Sequence, residues 1–224
     1  MVFSKKRNKK YFLTSEDVAA DASDIQEIFT YMANDQQISG APDMMSRGID
    51  ADENRIYFYS NVTDKDVFEL SKIIKNLDVE MQCISLRLKI PPIPIELHIH
   101  SAGGDLFSGL AAADVIRSCT SPIHTYVNGS TASAATLMSI CGDKRFMYKN
   151  AYMLIHQISS VIIQGKFEEF KDEMQNQEKL MSQIRSIYLE KSKMSGEQID
   201  DLLKHDLWLP ADTCLEYGLV DEIV

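Results

Sequence analysis

Long apolar runs are absent from this chain of 224 residues. The longest are only a few residues, as in Val161-Ile162-Ile163, whereas a helix needs about 20 apolar residues to cross a bilayer. A basic stretch stands near the start, between Lys5 and Lys10, but the apolar stretch and small-residue cleavage site of a signal peptide do not follow it. The sequence therefore predicts a protein without a membrane span.

Basic residues are also in deficit. There are 23 lysines and arginines against 33 aspartates and glutamates, which gives a formal net charge of −10. Phosphate backbones repel so acidic a chain, so we expect no nucleic-acid binding by its main body. The phosphate-binding pattern G-x-x-x-x-G-K-[ST] is missing as well, so the sequence indicates no ATP site of that kind.

Cysteine is scarce, and none of the four cysteines forms a C-x-x-C pair. The local spacing of a zinc site is therefore missing. The simplest interpretation is a set of buried thiols in a protein of the reducing cytoplasm. The four are Cys83, Cys119, Cys141 and Cys214.

Composition fits one compact domain, or a core domain plus an appended tail, since 45% of the residues are hydrophobic and 25% are charged. Residues 1–45 are mixed and polar, with a short predicted helix at residues 24–32 and breakers at Gly40 and Pro42. We expect this segment to be partly flexible and its basic cluster to be solvated.

Strand and helix signals become clear from residue 55 onward. Residues 55–59 are β-branched and aromatic, and cap-type residues from Thr63 precede a helix with apolar positions from Val67 to Leu77. Residues 79–94 alternate apolar and polar side chains and then meet three prolines. That pattern is typical of an edge strand, so we predict an inserted loop or hairpin there.

Three further strands each end in a glycine-containing or polar turn, and a helical pattern follows two of them. Repeated strand-turn-helix units predict an α/β fold with a mostly parallel sheet, and such sheets bind ligands at the carboxyl ends of their strands. A long amphipathic stretch, residues 167–194, comes next and needs a packing partner. The predicted strands are residues 93–99, 123–127 and 151–155, and the helices are residues 106–118 and 132–141.

Four features at these strand ends could carry chemistry. Ser133 stands among alanines where a strand gives way to a helix, and His156 ends an apolar strand. Asp206 follows a later helix, and Gly103 and Gly104 can expose backbone N–H groups in a turn. Each feature alone also fits a structural role, as a packing serine, a satisfied histidine, a turn-capping acid and a tight turn.

Taken together, these features resemble the proteolytic subunit of the caseinolytic (Clp) protease family, over residues 46–224. Two further strings support the resemblance, one at residues 142–146 and one at residues 211–221. It implies the Clp protease/crotonase-like α/β fold with repeated strand-turn-helix units. It also implies one serine peptidase domain at residues 46–224, with a protruding handle at residues 157–194 that contains the long helix.

The resemblance implies a role for each site residue. Ser133 would be the nucleophile, His156 the general base and then the acid, and Asp206 the group that orients the imidazole. The backbone N–H groups of Gly104 and Ala134 would form the oxyanion hole. This chemistry requires no metal and no organic cofactor.

Partners also follow from the resemblance. It implies two stacked seven-membered rings that enclose the active sites, and unfolded proteins or peptides as substrates. A separate AAA+ unfoldase ATPase would thread those substrates into the chamber.

Several positions depart from the family pattern. Glu96 and His98 stand where the family has aromatic residues that dock the ATPase, so that docking is in doubt. His98 and His100 share a strand face and raise a metal site as an alternative to ordinary polar packing. Lys204 and His205 replace an acid and an arginine that pair across the rings. The divergence suggests a specialised or virus-encoded member.

Two other functions stay open at this point. One is a non-catalytic regulatory subunit of such a chamber, which the altered docking and handle positions would suit. The other is a crotonase-type acyl-CoA enzyme, which shares the fold and a glycine-rich oxyanion hole but does not need a serine, a histidine and an aspartate in this order.

Overall fold

A computed structural model describes residues 48–159 and 166–224. The expectations for residues 1–45, including the helix at residues 24–32, lie outside the described residues, as does the part of the handle at residues 160–165. The elements follow in chain order. They are β1 (Ile49–Asp52), β2 (Arg55–Phe58), α1 (Asp64–Leu88), β3 (Ile95–Ser101), α2 (Leu106–Ser118), β4 (Ile123–Ala132), α3 (Ala134–Ile140), β5 (Lys144–Met147), β6 (Tyr152–Leu154), α4 (Phe167–Lys191), α5 (Gly196–Leu202), β7 (Trp208–Pro210), α6 (Ala211–Glu216) and β8 (Glu222–Ile223).

The sheet is mostly parallel, as the strand-turn-helix pattern predicts. Its main path runs β1-β2-β3-β4-β5-β8, and every pair on that path is parallel except β1 with β2. The strand β6 pairs with the last residues of β4, and β7 closes that branch in the antiparallel sense. The fold class is therefore confirmed as α/β with repeated strand-turn-helix units.

Strand β4 is longer than its sequence pattern predicts and divides the sheet at its carboxyl end. Residues 124–127 pair with β5, whereas residues 130–132 pair with β6. The glycine Gly129 lies at the change of partner with a φ of 59°. The strand therefore delivers Ser133 to the point where the two branches separate.

The predicted loop or hairpin at residues 79–94 is wrong, because α1 continues to Leu88. Leu77, Met81 and Ser85 are buried at intervals of four residues, which is helical spacing, and the apparent alternation leaves Leu86 79% exposed. Lys89 then ends the helix in the left-handed conformation, with its N–H donating to the Ser85 carbonyl. Only the residues after this cap form an extended connection to β3.

The long helix α4 begins and ends near the predicted positions, but most of it has little cover. Its buried side chains, Ile184, Ile187 and Tyr188, all lie in its carboxyl-terminal third. At 1.5 Å per residue, the 25-residue helix is about 37 Å long. Its amino-terminal part carries Phe167 and Met174, which are 72% and 61% exposed. The protruding handle helix is thus present.

The prediction of four buried thiols holds only in part. Cys141 and Cys214 are buried, Cys119 is half-buried and Cys83 is exposed. The exposed thiol lies on α1, on the part that the sequence pattern did not predict to be helical. Burial raises the pKa of Cys214 to about 12 and that of Cys119 to about 11. Within the residues described, no helix is long and apolar enough to cross a membrane.

Candidate active site

Ser133 lies in a strained backbone conformation between β4 and α3. Its φ of 54° and ψ of −130° are outside the regions that residues other than glycine usually adopt. Such strain costs about 1–3 kcal/mol and collects at functional sites. The Ser133 N–H donates to the Leu154 carbonyl of β6, which fixes the bend. The side chain makes no capping hydrogen bond to α3, so its hydroxyl is not used by the helix.

Two hydrogen bonds from Thr136 of α3 hold the carbonyl of Ser133. The Thr136 hydroxyl and the Thr136 N–H both donate to it, at 2.6 and 2.9 Å. Because the single hydroxyl proton of Thr136 is used in this way, the Tyr188 hydroxyl donates to Thr136 Oγ1, at 2.5 Å. Burial raises the pKa of Tyr188, so this phenol stays protonated. These hydrogen bonds thereby link the carboxyl-terminal part of α4, which carries Tyr188, to the backbone of Ser133.

The glycine turn after β3 packs directly against Ser133. A Cβ atom at Gly103 would lie 2.6 Å from the Ser133 Cβ atom, and a Cβ atom at Gly104 would lie 2.3 Å from the Val62 carbonyl oxygen. The backbone of Val62 holds the turn in place with two hydrogen bonds. Its N–H donates to the Gly103 carbonyl, and its carbonyl accepts from the Asp105 N–H. Only glycine fits at either position, since the backbones approach too closely for a side chain.

Two backbone N–H groups at this turn stay the predicted donors to an oxyanion. Ala134 is the first residue of α3, so its N–H has no carbonyl partner within that helix. In the parallel bridge to Val62, the bonds use Gly103 and Asp105. The N–H of Gly104 takes no part in this bridge. These are the two groups that the sequence analysis assigns to the oxyanion hole.

His156 and Asp206 lie side by side, with 3.4 Å between His156 Nδ1 and Asp206 Oδ1. The His156 side chain is 22% exposed, whereas the Asp206 side chain is 80% exposed. A hydrogen bond from the Gln157 N–H to the Leu203 carbonyl holds the two segments together. The structure therefore brings this pair together, but it leaves the carboxylate in water.

One cavity of about 300 Å³ joins the serine and the histidine. Ser133, His156, Gly104 and Ala134 all line it, together with residues of α4. Among the described residues, no hydrogen bond links the Ser133 hydroxyl to His156. Such catalytic contacts are often loose in unliganded structures and tighten only when substrate binds.

His98 and His100 share the outer face of β3 as expected, but their rings have different neighbours. The ring of His98 stacks between Tyr57 and Tyr126, with centroids 5.0 and 4.5 Å away. His100 Nδ1 instead accepts from the Ser130 N–H. Within the described ranges, no three histidine, cysteine, aspartate or glutamate side chains gather into a cation site.

The face that carries His98 is aromatic after all, because neighbouring strands supply the rings. Tyr57, His98, Tyr126 and Phe146 form one stacked row across β2, β3, β4 and β5. Glu96 pairs with Arg55 beside the row. Aromatic rings thus lie on this face of the sheet although Glu96 and His98 stand on β3, and the doubt about ATPase docking stays a prediction.

His98 gives the first testable prediction. It is 5% exposed, and neither ring nitrogen has a hydrogen-bond partner in the described chain. Burial lowers its pKa from 6.5, although Glu96, 3.7 Å away, acts in the opposite direction, as does Asn128. As the pH falls, His98 therefore binds a proton in the unfolded chain at a higher pH than in the folded protein. The free energy of unfolding decreases below pH 6.5 as a result.

We expect His98→Phe to raise the free energy of unfolding by about 1 kcal/mol at neutral pH, because it removes two unpaired buried nitrogens from a stacked row. The gain should grow between pH 7.5 and 5.5, by at most about 1.4 kcal/mol per pH unit. Urea unfolding at several pH values measures it. The exposed-site variant His205→Gln is the control, and a gain that does not change with pH would contradict the prediction.

Comparisons with known proteins agree with this architecture. The family model described as Clp protease matches residues 50–224. The ATP-dependent Clp protease proteolytic subunit 1 of Chlamydia muridarum is 31% identical over 176 residues, which are 77% of this chain and 87% of that one. The subunit of the same name from Chlamydia abortus is 31% identical over 196 residues, 86% of this chain and 97% of that one.

A solved structure supports the same fold. A mutant of ClpP1 from Listeria monocytogenes matches with a TM-score of 0.66 and 23% identity, over 77% of this chain and 91% of that one. A strained serine that shares a cavity with a histidine at the strand ends of such a sheet, with the family matches, supports the class of ClpP-type serine peptidases. The chain belongs to the Clp protease family of proteolytic subunits. These relatives are bacterial, so the suggestion of a virus-encoded member is not borne out.

The contacts that hold the site were not predicted from the sequence. Val62, Thr136 and Tyr188 fix the glycine turn and the carbonyl of Ser133. Tyr188 was visible only as one member of an apolar helical face, and no local signal marked Val62. The lining of the cavity by Glu173 and Gln177 was also missed, because both read as solvent-facing helix residues.

Proposed function

We propose that this protein is a serine endopeptidase that cuts unfolded proteins or peptides through Ser133, His156 and Asp206. The observation that carries the proposal is the strained Ser133, which is held by its backbone on both sides and lines a cavity together with His156. Strain of this kind presents a side chain at a sharp strand-to-helix turn, which suits a nucleophile.

The chemistry divides into two steps. His156 takes the proton of Ser133 as its oxygen attacks the peptide carbonyl, and then gives that proton to the leaving amine. Water repeats the sequence on the acyl-enzyme, and the acid product leaves. The N–H groups of Gly104 and Ala134 bind the oxyanion in both steps, and one such donor contributes on the order of 3 kcal/mol. Asp206 orients the imidazole and stabilises its positive form.

The handle supports an oligomer. The amino-terminal part of α4 exposes Phe167, Phe170 and Met174. Exposed apolar side chains of this kind mark a contact between proteins. We propose that the handles join two stacked heptameric rings into a chamber.

An AAA+ unfoldase would dock on the aromatic face of the sheet. A cytoplasmic location stays a prediction.

A regulatory, non-catalytic role is the second candidate. The exposed carboxylate of Asp206 and the missing hydrogen bond between Ser133 and His156 favour a site that needs a partner subunit to align it. A crotonase-type acyl-CoA enzyme has no observation of its own in its favour, and membership of the Clp protease family argues for the peptidase.

Light scattering combined with digestion of an unfolded protein tests the proposal. We expect a particle of about fourteen subunits that cleaves casein and short peptides, with Ser133→Ala assembling equally well and cleaving neither. A monomer or dimer at working concentration would contradict the chamber. A full-size particle that cleaves nothing until a second subunit type is added would favour the regulatory role.

A further inference from the structure

The cavity beside Ser133 is also lined by residues of α4 that the proposed chemistry does not use. They are Glu173, Gln177, Leu180 and Ile184. They recur every three or four residues, so they lie on one face of the helix. The cavity volume of about 300 Å³ leaves room for one side chain of the size of lysine or arginine between Ser133 and α4.

The lining of the cavity combines apolar and charged side chains. Leu137, Leu180 and Ile184 make apolar walls. Glu173 is half-buried in the same lining, and its Oε1 atom accepts from Gln177 Nε2 at 3.0 Å. Among the lining residues that the structure describes, none is lysine or arginine. The carboxylate therefore faces a cavity without a fixed cation.

We propose that Glu173 makes this cavity a binding site for a basic side chain, lysine or arginine, on the acyl side of the cut bond. The proposal rests on the proposed peptidase function. Lysine and arginine have apolar stems that pack along apolar walls and charged heads that need polar partners. Their charged head would form a charge-assisted hydrogen bond with Glu173, which is stronger than a neutral one.

An apolar side chain of the same length would bind less well. It would desolvate the Glu173 carboxylate without offering a partner, and a buried polar group that loses its partners is costly. Gln177 holds one carboxylate oxygen in place, so less order is lost when the cation binds. The site thus selects for charge as well as for length.

Peptidyl diphenyl phosphonates test this directly, because Ser133 displaces phenol from them and retains the peptide. Two probes that differ only in lysine or norleucine at the residue next to phosphorus isolate the ammonium group. The rate of modification of Ser133 is measured by intact mass and peptide mapping on the assembled wild-type particle, Glu173→Gln, Glu173→Lys and the control Glu178→Gln. Glu178 is exposed on the same helix and does not line the cavity.

We expect the wild type and Glu178→Gln to react about tenfold faster with the lysine probe than with the norleucine probe. Glu173→Gln should abolish that preference, and Glu173→Lys should reverse it. An unchanged preference in Glu173→Gln, or equal rates for both probes in the wild type, would overturn the inference and leave the peptidase function intact. No modification by either probe or by a small fluorophosphonate would overturn the peptidase function and the inference together.

Discussion

Ser133→Ala should lower peptide hydrolysis by about four to six orders of magnitude, since an alanine cannot form the acyl-enzyme and the residual rate comes from binding and the oxyanion hole. The fold should survive, because Ser133 caps nothing through its side chain and its backbone bonds to Leu154 and Thr136 remain. The measurement is kcat/KM on a fluorogenic peptide, with light scattering to verify assembly.

The matched control is Ser130→Ala, three residues earlier on β4 and outside the cavity. It should keep activity within about twofold. Asp206→Asn should cost less than Ser133→Ala, on the order of a hundredfold, because the carboxylate is 80% exposed and 3.4 Å from His156. A Ser133→Ala variant with near wild-type turnover would show that another group carries the chemistry.

Gly104→Ala should lower the rate of peptide hydrolysis at least about a hundredfold. It should also lower the free energy of unfolding by about 3 kcal/mol. Gly104 has a φ of 152°, and an added Cβ atom would meet the Val62 carbonyl oxygen at 2.3 Å. That oxygen belongs to backbone fixed by two hydrogen bonds, so the turn itself must move. Moving the turn displaces the N–H of Gly104 from the proposed oxyanion hole.

Gly196→Ala is the control for an added methyl group. Its Cβ atom would come within 2.3 Å of Arg185 Nη2, which is the flexible end of a surface side chain that can swing away. Its cost should stay below about 1 kcal/mol, the value of an exposed ion pair. Thermal unfolding and peptide hydrolysis of both variants measure the difference. Equal, small effects for the two would show that the glycine turn is not closely packed.

Local sequence signals predicted the elements well where the deciding contacts are local. The bounds of α2 were predicted residue for residue, because Asp105 caps the helix by accepting from the Ser108 N–H. The end of α1 was missed because two periodicities overlap in residues 79–90. Only the three-dimensional packing of Met81 and Ser85 shows that the helical one is correct.

The candidate site was predicted only in part, for a similar reason. Ser133, His156 and Asp206 were identified because their order and neighbours resemble a known family, and the structure places His156 beside Asp206 and in one cavity with Ser133. The exposure of Asp206 could not be predicted, since it depends on what packs over a loop. The grip of Val62 on the glycine turn likewise joins residues far apart in the chain.

Reaction with a fluorophosphonate, followed by peptide mapping, tests the central claim most directly, because it reports an activated serine without any assumption about substrate or ATPase. On the assembled wild-type particle we expect one adduct, on Ser133, and its near absence in His156→Ala. No adduct on a correctly assembled wild-type particle, or an adduct that His156→Ala leaves unchanged, would contradict the account.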